Sequence, residues 1–123
     1  MKQILIALCA VLMFGSATVQ ATTTINSDQA VFHVGQELMV CGNVSKVTTQ
    51  AKRTLFNLGA AYPREDVSVQ IWHSEKELFT QQFGVLDNLA SQRVCAFGKV
   101  ESYKNHLFVT VRNPKMLRVV RNR

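Results

Sequence analysis

The chain has 123 residues, of which 47% are hydrophobic and 18% carry a charge. This length supports one domain with a single core, and the absence of a linker, a low-complexity tract or a short repeat argues against a multidomain or repeat architecture. Fourteen basic residues against eight acidic residues give a net charge of +6. Such a charge favours polyanionic partners without specifying which polyanion is bound.

The first residues have the organisation of a secretory signal peptide. A positive start at Met1-Lys2 precedes the apolar run Ile4 to Phe14, and Val19-Gln20-Ala21 places small residues where a signal peptidase cleaves. The apolar run is shorter than the roughly twenty residues of a membrane-spanning helix. We therefore predict a cleaved signal over residues 1–21, no membrane span, and export to the periplasm or beyond; cleavage after Ala17 is the nearest alternative.

Cleavage at this point would change both the charge and the cysteine content. Removal of Lys2 leaves thirteen of the fourteen basic residues beside the eight acidic ones, a net charge of +5. Removal of Cys9 leaves Cys41 and Cys95, which an oxidising compartment would join. The alternative of two free redox thiols is weaker, because no Cys-x-x-Cys arrangement is present.

Hydrophobic periodicity predicts the elements of the mature chain in order. Residues Ser27 to Phe32 match a short helix that is capped by Ser27 and ended by Gly35, and a capping box at Ser74 to Glu77 begins a second helix that ends near Gly84. Alternation of apolar and polar residues predicts five strands: Leu38 to Val47, Thr54 to Leu58, Val67 to Trp72, Arg93 to Tyr103, and Leu107 to Val111.

The predicted order is three strands, the main helix, and two further strands. In a chain of this size we expect an all-β protein with one helix, folded as a small closed or nearly closed barrel. The oligonucleotide/oligosaccharide-binding (OB) fold, a five-stranded Greek-key barrel, has this order, with its helix between strands 3 and 4. Other small α+β sheets share the order, so it does not decide the fold alone.

Four segments add weight to the OB prediction: VGQELMVCGNVSKV, TLFNLGAAYP, VSVQIW and VCAFGKVESYKNHLFVTVRNP. Together they resemble the small exported bacterial OB-fold proteins that are grouped with nucleic-acid-binding (tRNA-anti-like) OB domains. The resemblance runs from Val34 to Pro114, and its most specific parts are the paired segments Val40 to Val44 and Ala96 to Val100. It implies a single OB domain over residues 22–123 and a class of ligand, although one fold accepts many ligands.

The resemblance also implies how the two cysteines meet. In that fold the first and fourth strands are antiparallel neighbours, so Gly42 and Gly98 would face the interior while Cys41 and Cys95 would face outward and pair as a disulfide. The glycines would relieve crowding inside a tightly curved barrel.

No catalytic or metal site is apparent in the sequence. The three histidines, His33, His73 and His106, are isolated, and no Ser-His-Asp or phosphate-loop pattern occurs. Glu75 and Glu77 flank a helix start, where acidic residues are expected for electrostatic reasons. We therefore predict a protein that is not an enzyme and that has no cofactor and no metal.

A binding face is more strongly indicated. In an OB fold the ligand crosses the outer face of strands two and three, between the loop joining strands one and two and the loop joining strands four and five. Both loops are basic here, and a basic tail over about residues 115–123 adds attraction for polyanions. The cations, amides and rings expected on or beside this face suit single-stranded nucleic acid: Lys52, Arg53, Asn57, Tyr62, Arg64, Ser68, Gln70, Trp72, Tyr103, Lys104, His106 and Arg112.

Several alternatives stay open. Trp72 either stacks on a ligand or packs under the helix beside Phe79, and Tyr62 either contacts a ligand or only braces the Pro63 turn. The basic residues also fit an ordinary solvated surface. For function, we expect a monomer that binds single-stranded nucleic acid or another extended polyanion. The alternatives are a carbohydrate-binding module and a module that docks a protein partner or supports the cell envelope.

Overall fold

A computed structural model describes residues 22–120. The predicted signal peptide and residues 121–123 lie outside this range. No helix within it is both long and apolar enough to cross a membrane. The elements of the described range are, in chain order: β1 (Thr24–Asn26), a 3₁₀ turn (Ser27–Phe32), β2 (Glu37–Thr49), β3 (Arg53–Leu58), β4 (Val67–Trp72), α1 (His73–Phe83), a 3₁₀ turn (Leu86–Leu89), β5 (Arg93–Tyr103), β6 (His106–Thr110), a 3₁₀ turn (Pro114–Met116) and β7 (Leu117–Val120).

Five of the strands close on themselves to form a barrel. β2 pairs antiparallel with β3, β3 with β4, and β5 with both β6 and β2, while β4 and β6 are parallel neighbours. These are the five strands that the alternation predicts. β4 and β5 have the predicted bounds, whereas β2 extends to Thr49 and β6 begins and ends one residue earlier, at His106 and Thr110.

The predicted total of five strands is wrong, because residues 22–120 contain seven. β1 adds to β2 in parallel, with Thr24 opposite Met39, and β7 adds to β5 antiparallel, with Leu117 opposite Ala96. Consequently α1 follows the fourth strand and does not lie between the third and fourth. The two extra strands have three and four residues, too few for a clear alternation, and β7 falls within the segment predicted to be a basic tail.

Alternate residues of the barrel strands fill the core, as the two-residue period of a strand requires. Val67, Val69 and Ile71 of β4 face inward as predicted and are fully buried. The two largest fully buried side chains are Phe56, from β3, and Phe79, from α1. The helix therefore contributes one fully buried ring to a core that comes mainly from the strands, with smaller contributions from two of the 3₁₀ turns.

The predicted helix caps differ from those in the structure. α1 begins at His73, which makes Trp72 its N-cap residue and places Ser74 inside the first turn. Ser27 opens a 3₁₀ turn and does not cap a helix; its hydroxyl donates to Asp66 Oδ2 at 2.9 Å. The Ser27 hydroxyl therefore bonds to a residue that is distant in sequence, Asp66, and not to the backbone of its own turn as a cap would.

The two cysteines are joined by a disulfide, Cys41 to Cys95. They are direct partners in the ladder between β2 and β5, as the resemblance implies. β1 and β7 flank the pair, with Asn26 opposite Cys41 and Arg118 opposite Cys95, and both cysteines are buried. The bond therefore links the two strands whose pairing closes the barrel.

Gly42 and Gly98 occupy crowded positions, as expected. A Cβ atom at Gly42 would lie 2.6 Å from Ser27 Oγ. A Cβ atom at Gly98 would lie 2.9 Å from Val109 Cγ1 and 3.0 Å from the backbone carbonyl oxygen of Thr110. Because that carbonyl belongs to the barrel itself, it cannot move aside without distorting β6.

Removal of the disulfide should destabilise the fold. The bond joins residues separated by 54 positions, and a cross-link of this span lowers the entropy of the unfolded chain enough to contribute about 4 kcal/mol. Urea unfolding of the oxidised protein, the reduced protein and the Cys41→Ala/Cys95→Ala variant measures this contribution. The reduced protein and the variant should lose similar stability; a loss below about 1 kcal/mol in both would contradict a structural role.

Gly98→Ala should lower the free energy of unfolding by about 1–3 kcal/mol, because the new methyl group overpacks the space beside Val109 and Thr110. Thermal or urea unfolding measures the change. The neighbouring Lys99→Ala is the matched control, since Lys99 is exposed and its replacement should stay within about 0.5 kcal/mol of wild type. Equal stability of the two variants would show that the position is not crowded.

Candidate functional site

The outer face of β3, β4 and β6 carries a continuous set of polar and aromatic side chains. Register places Asn57 beside Ser68 and Gln70 beside Thr110, with Phe108 next to Ser68. These residues alternate with those that fill the core, so their side chains lie on the opposite side of the sheet. The closed barrel therefore presents three neighbouring strands as one surface.

Arg53 occupies the centre of this surface, at the start of β3. Its Nε donates to Gln50 Oε1 at 2.7 Å, and its Nη1 donates to Gln70 Oε1 at 2.6 Å. Gln70 Nε2 donates in turn to Thr110 Oγ1 at 2.9 Å. The guanidinium carbon also lies 5.4 Å from the centroid of the Phe108 ring. Two amide acceptors and an aromatic ring thus hold the guanidinium in one orientation.

The charge of Arg53 has no carboxylate partner among residues 22–120. The close contact between a basic and an acidic side chain in that range joins His106 Nδ1 to Glu65 Oε2 at 3.1 Å. The two glutamines that hold Arg53 are neutral, so they orient its charge without cancelling it. A fixed, half-buried cation without a counter-ion can give an anionic ligand a charge-assisted hydrogen bond at a small cost in ordering.

Two grooves meet at Arg53. The first groove has a volume of about 700 Å³ and combines aromatic rings with charges of both signs. Its rings are those of Trp72, Phe97, Tyr103 and Phe108. Its charged residues are the cations Arg53, Lys99 and Arg112 and the carboxylates Glu37 and Glu101. The first groove therefore offers a ligand several aromatic rings but only a small net positive charge.

The second groove, of about 540 Å³, is more basic. Its carboxylate, Glu65, is already in contact with His106, whose ring stacks on Tyr62 with the centroids 5.0 Å apart. Its cations are Lys46, Arg53 and Lys104. The second groove therefore offers an anion more unopposed positive charge than the first.

Two short loops border the grooves. The loop between β2 and β3 consists of residues 50–52, and the turn between β5 and β6 consists of Lys104 and Asn105. Both turn residues have positive φ angles, 51° and 67°, which is the hairpin conformation whose twist matches that of the flanking strands. This turn holds Lys104 beside Tyr103, with Nζ 5.3 Å from the ring centroid.

Most of the predicted site residues line these grooves: Arg53, Asn57, Tyr62, Gln70, Trp72, Tyr103, Lys104, His106 and Arg112. Lys52 and Arg64 line neither groove. Lys52 lies in the loop that precedes β3, and its side chain is exposed. Arg64 follows Pro63 in the turn that leads away from β3, where its backbone N–H donates to the carbonyl of Ala61 at 2.8 Å.

The predicted amide and hydroxyl side chains are less accessible than expected. Asn57, Ser68 and Gln70 are only 3%, 2% and 7% exposed. Ser68 Oγ donates to Asn57 Oδ1 at 2.9 Å, and Gln70 holds Arg53. These three residues therefore form a support beneath the exposed rings and cations, instead of projecting freely toward a ligand.

Trp72 and Tyr62 both lie where a ligand could reach them. Trp72 is half-buried, lines the first groove, and is not one of the residues that pack on the core. The buried position under the helix belongs to Phe79, so the structure favours the ligand-facing alternative for Trp72. Tyr62 is 69% exposed and stacks on His106, so it does more than brace the turn at Pro63.

Several lining residues are absent from the predicted set. Phe108 matters most, because Arg53 lies over its ring. The alternation of the last predicted strand could have identified Phe108 as an outer-face residue. Since Val109 faces the core, its neighbour Phe108 must face outward. The same rule places Glu101 on the outer side of β5. Lys46 does not follow from alternation, because an irregularity in β2 between Val44 and Lys46 shifts the register.

The groups gathered in the two grooves are typical of binding surfaces: aromatic faces, ammonium and guanidinium groups, and amides. Among residues 22–120, no group of three or more His, Cys, Asp or Glu side chains is placed to hold a metal ion.

Trp72→Ala should leave the fold nearly intact, because its ring lies in a groove and not in the core. We expect its free energy of unfolding to fall by less than about 1.5 kcal/mol, whereas Phe56→Ala, which removes a fully buried ring, should cost about 3–5 kcal/mol. Urea unfolding compares the two. A loss above about 3 kcal/mol for Trp72→Ala would restore the core interpretation.

Comparison with known proteins identifies the fold. No protein-family model and no curated protein matches the chain. Among solved structures, it matches OBody AM1L10, which is bound to hen egg-white lysozyme, with a TM-score of 0.57 and 16% identity over 86% of this chain and 100% of that one. It matches a chain of the S. pombe Stn1-Ten1 complex with a TM-score of 0.51 and 10% identity over 70% and 59% of the two chains. It also matches a protein described as an aspartyl-tRNA synthetase from Leishmania major Friedlin, with a TM-score of 0.53 and 15% identity over 90% of this chain and 23% of that one. At such identities the likeness concerns the fold alone, and that fold is of the OB type; membership of the exported bacterial group stays a prediction.

Proposed function

We propose that this protein is an exported OB-fold protein that binds single-stranded nucleic acid, or another extended polyanion of similar chemistry, without catalysing a reaction. The ligand crosses the outer face of β3, β4 and β6, and it occupies the two grooves on either side of Arg53.

The main observation behind this proposal is the fixed orientation of the Arg53 guanidinium and its lack of an ion-pair partner in the described range. The guanidinium is fixed by Gln50, Gln70 and Phe108 before any ligand arrives, and no carboxylate within the described range forms an ion pair with it. Such an arrangement favours an anion that can sit between two grooves, as a phosphate of a polymer does. A neutral sugar would leave this charge unused, which disfavours the carbohydrate alternative.

The aromatic rings favour nucleic acid over other anions. Bases stack on aromatic side chains with about 1–3 kcal/mol per base, and stacking tolerates every base. Trp72 and Phe97 lie in the first groove, Tyr62 lies in the second, and Tyr103 is shared by both. Rings on both sides of a central cation match a strand whose bases flank its phosphates.

Export is supported by two independent features. Residues 1–21 have the organisation of a signal peptide, and the described domain contains a disulfide, which persists in oxidising compartments. A periplasmic or secreted location therefore accounts for both the signal peptide and the disulfide.

The names of two structural neighbours mention different kinds of partner. One neighbour is bound to lysozyme, a protein, and another carries a tRNA in its name. The shared fold does not choose between them. The choice of nucleic acid rests on the charge and rings of this chain's own grooves.

Fluorescence anisotropy with a labelled single-stranded oligonucleotide, titrated across a salt series, tests the proposal. We expect affinity to fall steeply as salt increases, because phosphate contacts release counterions. Arg53→Gln should weaken binding about tenfold at low salt and reduce the salt slope by about one, as expected for the loss of one phosphate contact.

Arg93→Gln is the matched control, since it removes the same charge from a residue that lines neither groove and that donates to Asn26 Oδ1 at 3.3 Å. It should bind nearly as well as wild type. Binding weaker than about millimolar at low salt, or equal losses in the two variants, would exclude this site.

A further inference from the structure

Glu101 is an unexpected residue in a surface suited to phosphates. It lies on β5 directly opposite Phe108 of β6, on the same side of the strand as Lys99 and Tyr103, and it lines the first groove. Its side chain is exposed, and no Lys or Arg among residues 22–120 forms an ion pair with it. Its negative charge is therefore available to a ligand.

A carboxylate in this position repels phosphate, so phosphate is not the part of the ligand that it contacts. The two grooves differ in charge, and the second groove is the better place for phosphates. The second groove holds Lys46, Arg53 and Lys104, and its carboxylate, Glu65, is engaged by His106. The phosphates of a bound strand thus lie more favourably over Arg53 and the second groove, which leaves the first groove to a base.

The rings of the first groove suit such a base. Trp72, Phe97 and Tyr103 offer stacking surfaces, while Glu101 offers acceptor oxygens only, because an ionised carboxylate cannot donate. A base that meets this carboxylate with an amino group gains a hydrogen bond. A base that presents carbonyl oxygens at the same edge is repelled.

Resting on the proposed function, we infer that Glu101 determines base preference by accepting a hydrogen bond from the exocyclic amino group of a base stacked in the first groove. Cytosine presents the N4 amino group, from which Asp and Glu side chains accept hydrogen bonds in protein–DNA complexes, and adenine presents the N6 amino group. Uracil and thymine present carbonyl oxygens on both sides of a single N–H. The protein therefore favours amino-bearing bases over uracil and thymine.

The test compares labelled oligo(dC) with oligo(dU) of equal length at neutral pH. The two polymers share one backbone and one ring size, and they differ in the groups at ring positions N3 and C4. We expect wild type to bind oligo(dC) about tenfold more tightly, as one good carboxylate-to-amino contact allows. Glu101→Gln should reduce this ratio to about twofold or less, chiefly by weakening oligo(dC).

Two further variants complete the comparison. Glu37→Gln alters the other carboxylate of the first groove, which lies opposite Lys99, and should change the ratio less than Glu101→Gln does. Glu77→Gln alters an exposed carboxylate on α1 that lines neither groove, and should leave the ratio unchanged. Thermal unfolding confirms that each variant is folded.

Each result has a distinct meaning. If wild type binds both oligomers equally, or if Glu101→Gln strengthens both to the same extent, Glu101 acts only as a repelling charge and the inference is overturned while the proposed function stands. If neither oligomer binds even at low salt, the inference and the proposed function both fail. A large ratio that survives Glu101→Gln also overturns the inference, because another group then reads the base.

Discussion

The pairing of β2 with β5 is the constraint on which the rest of the structure depends. It closes five strands into a barrel, and closure decides which residue of every strand faces the core and which faces outward. The disulfide between Cys41 and Cys95 lies within this same ladder, and Gly98 allows β5 to pass close to β6. The chemistry of the outer face is a consequence of this closure, since a slip by one residue would bury it.

On that face, support and contact are divided between different side chains. The buried amides and hydroxyls bond to one another or to Arg53, and the exposed rings and cations remain for a ligand. This division explains why Gln70 matters although it is 7% exposed: it fixes the direction of the Arg53 guanidinium. A surface organised in advance loses little conformational freedom on binding.

Alternation predicted the barrel strands well, because most inward positions, such as Val69, are apolar and burial leaves little choice. It could not find β1 and β7, whose three and four residues are too few for a clear alternation, although Ile25 and Leu117 reach the core. For the site, loop composition and alternation selected Arg53 and Trp72, which both line the first groove. They did not distinguish Lys52 from Arg53, since only the backbone path shows that Arg53 lines the grooves and Lys52 does not, and they overlooked Phe108, the aromatic partner of Arg53.

The brevity of the two bordering loops has a consequence for how a polymer could arrive. Neither the three residues between β2 and β3 nor the two between β5 and β6 are enough to fold over a strand and enclose it. A chain can therefore settle onto the surface sideways from any internal position, without a free end to thread, and can leave by the same route. Such a surface is suited to the extended polyanion proposed above, because any internal stretch of the polymer can reach it.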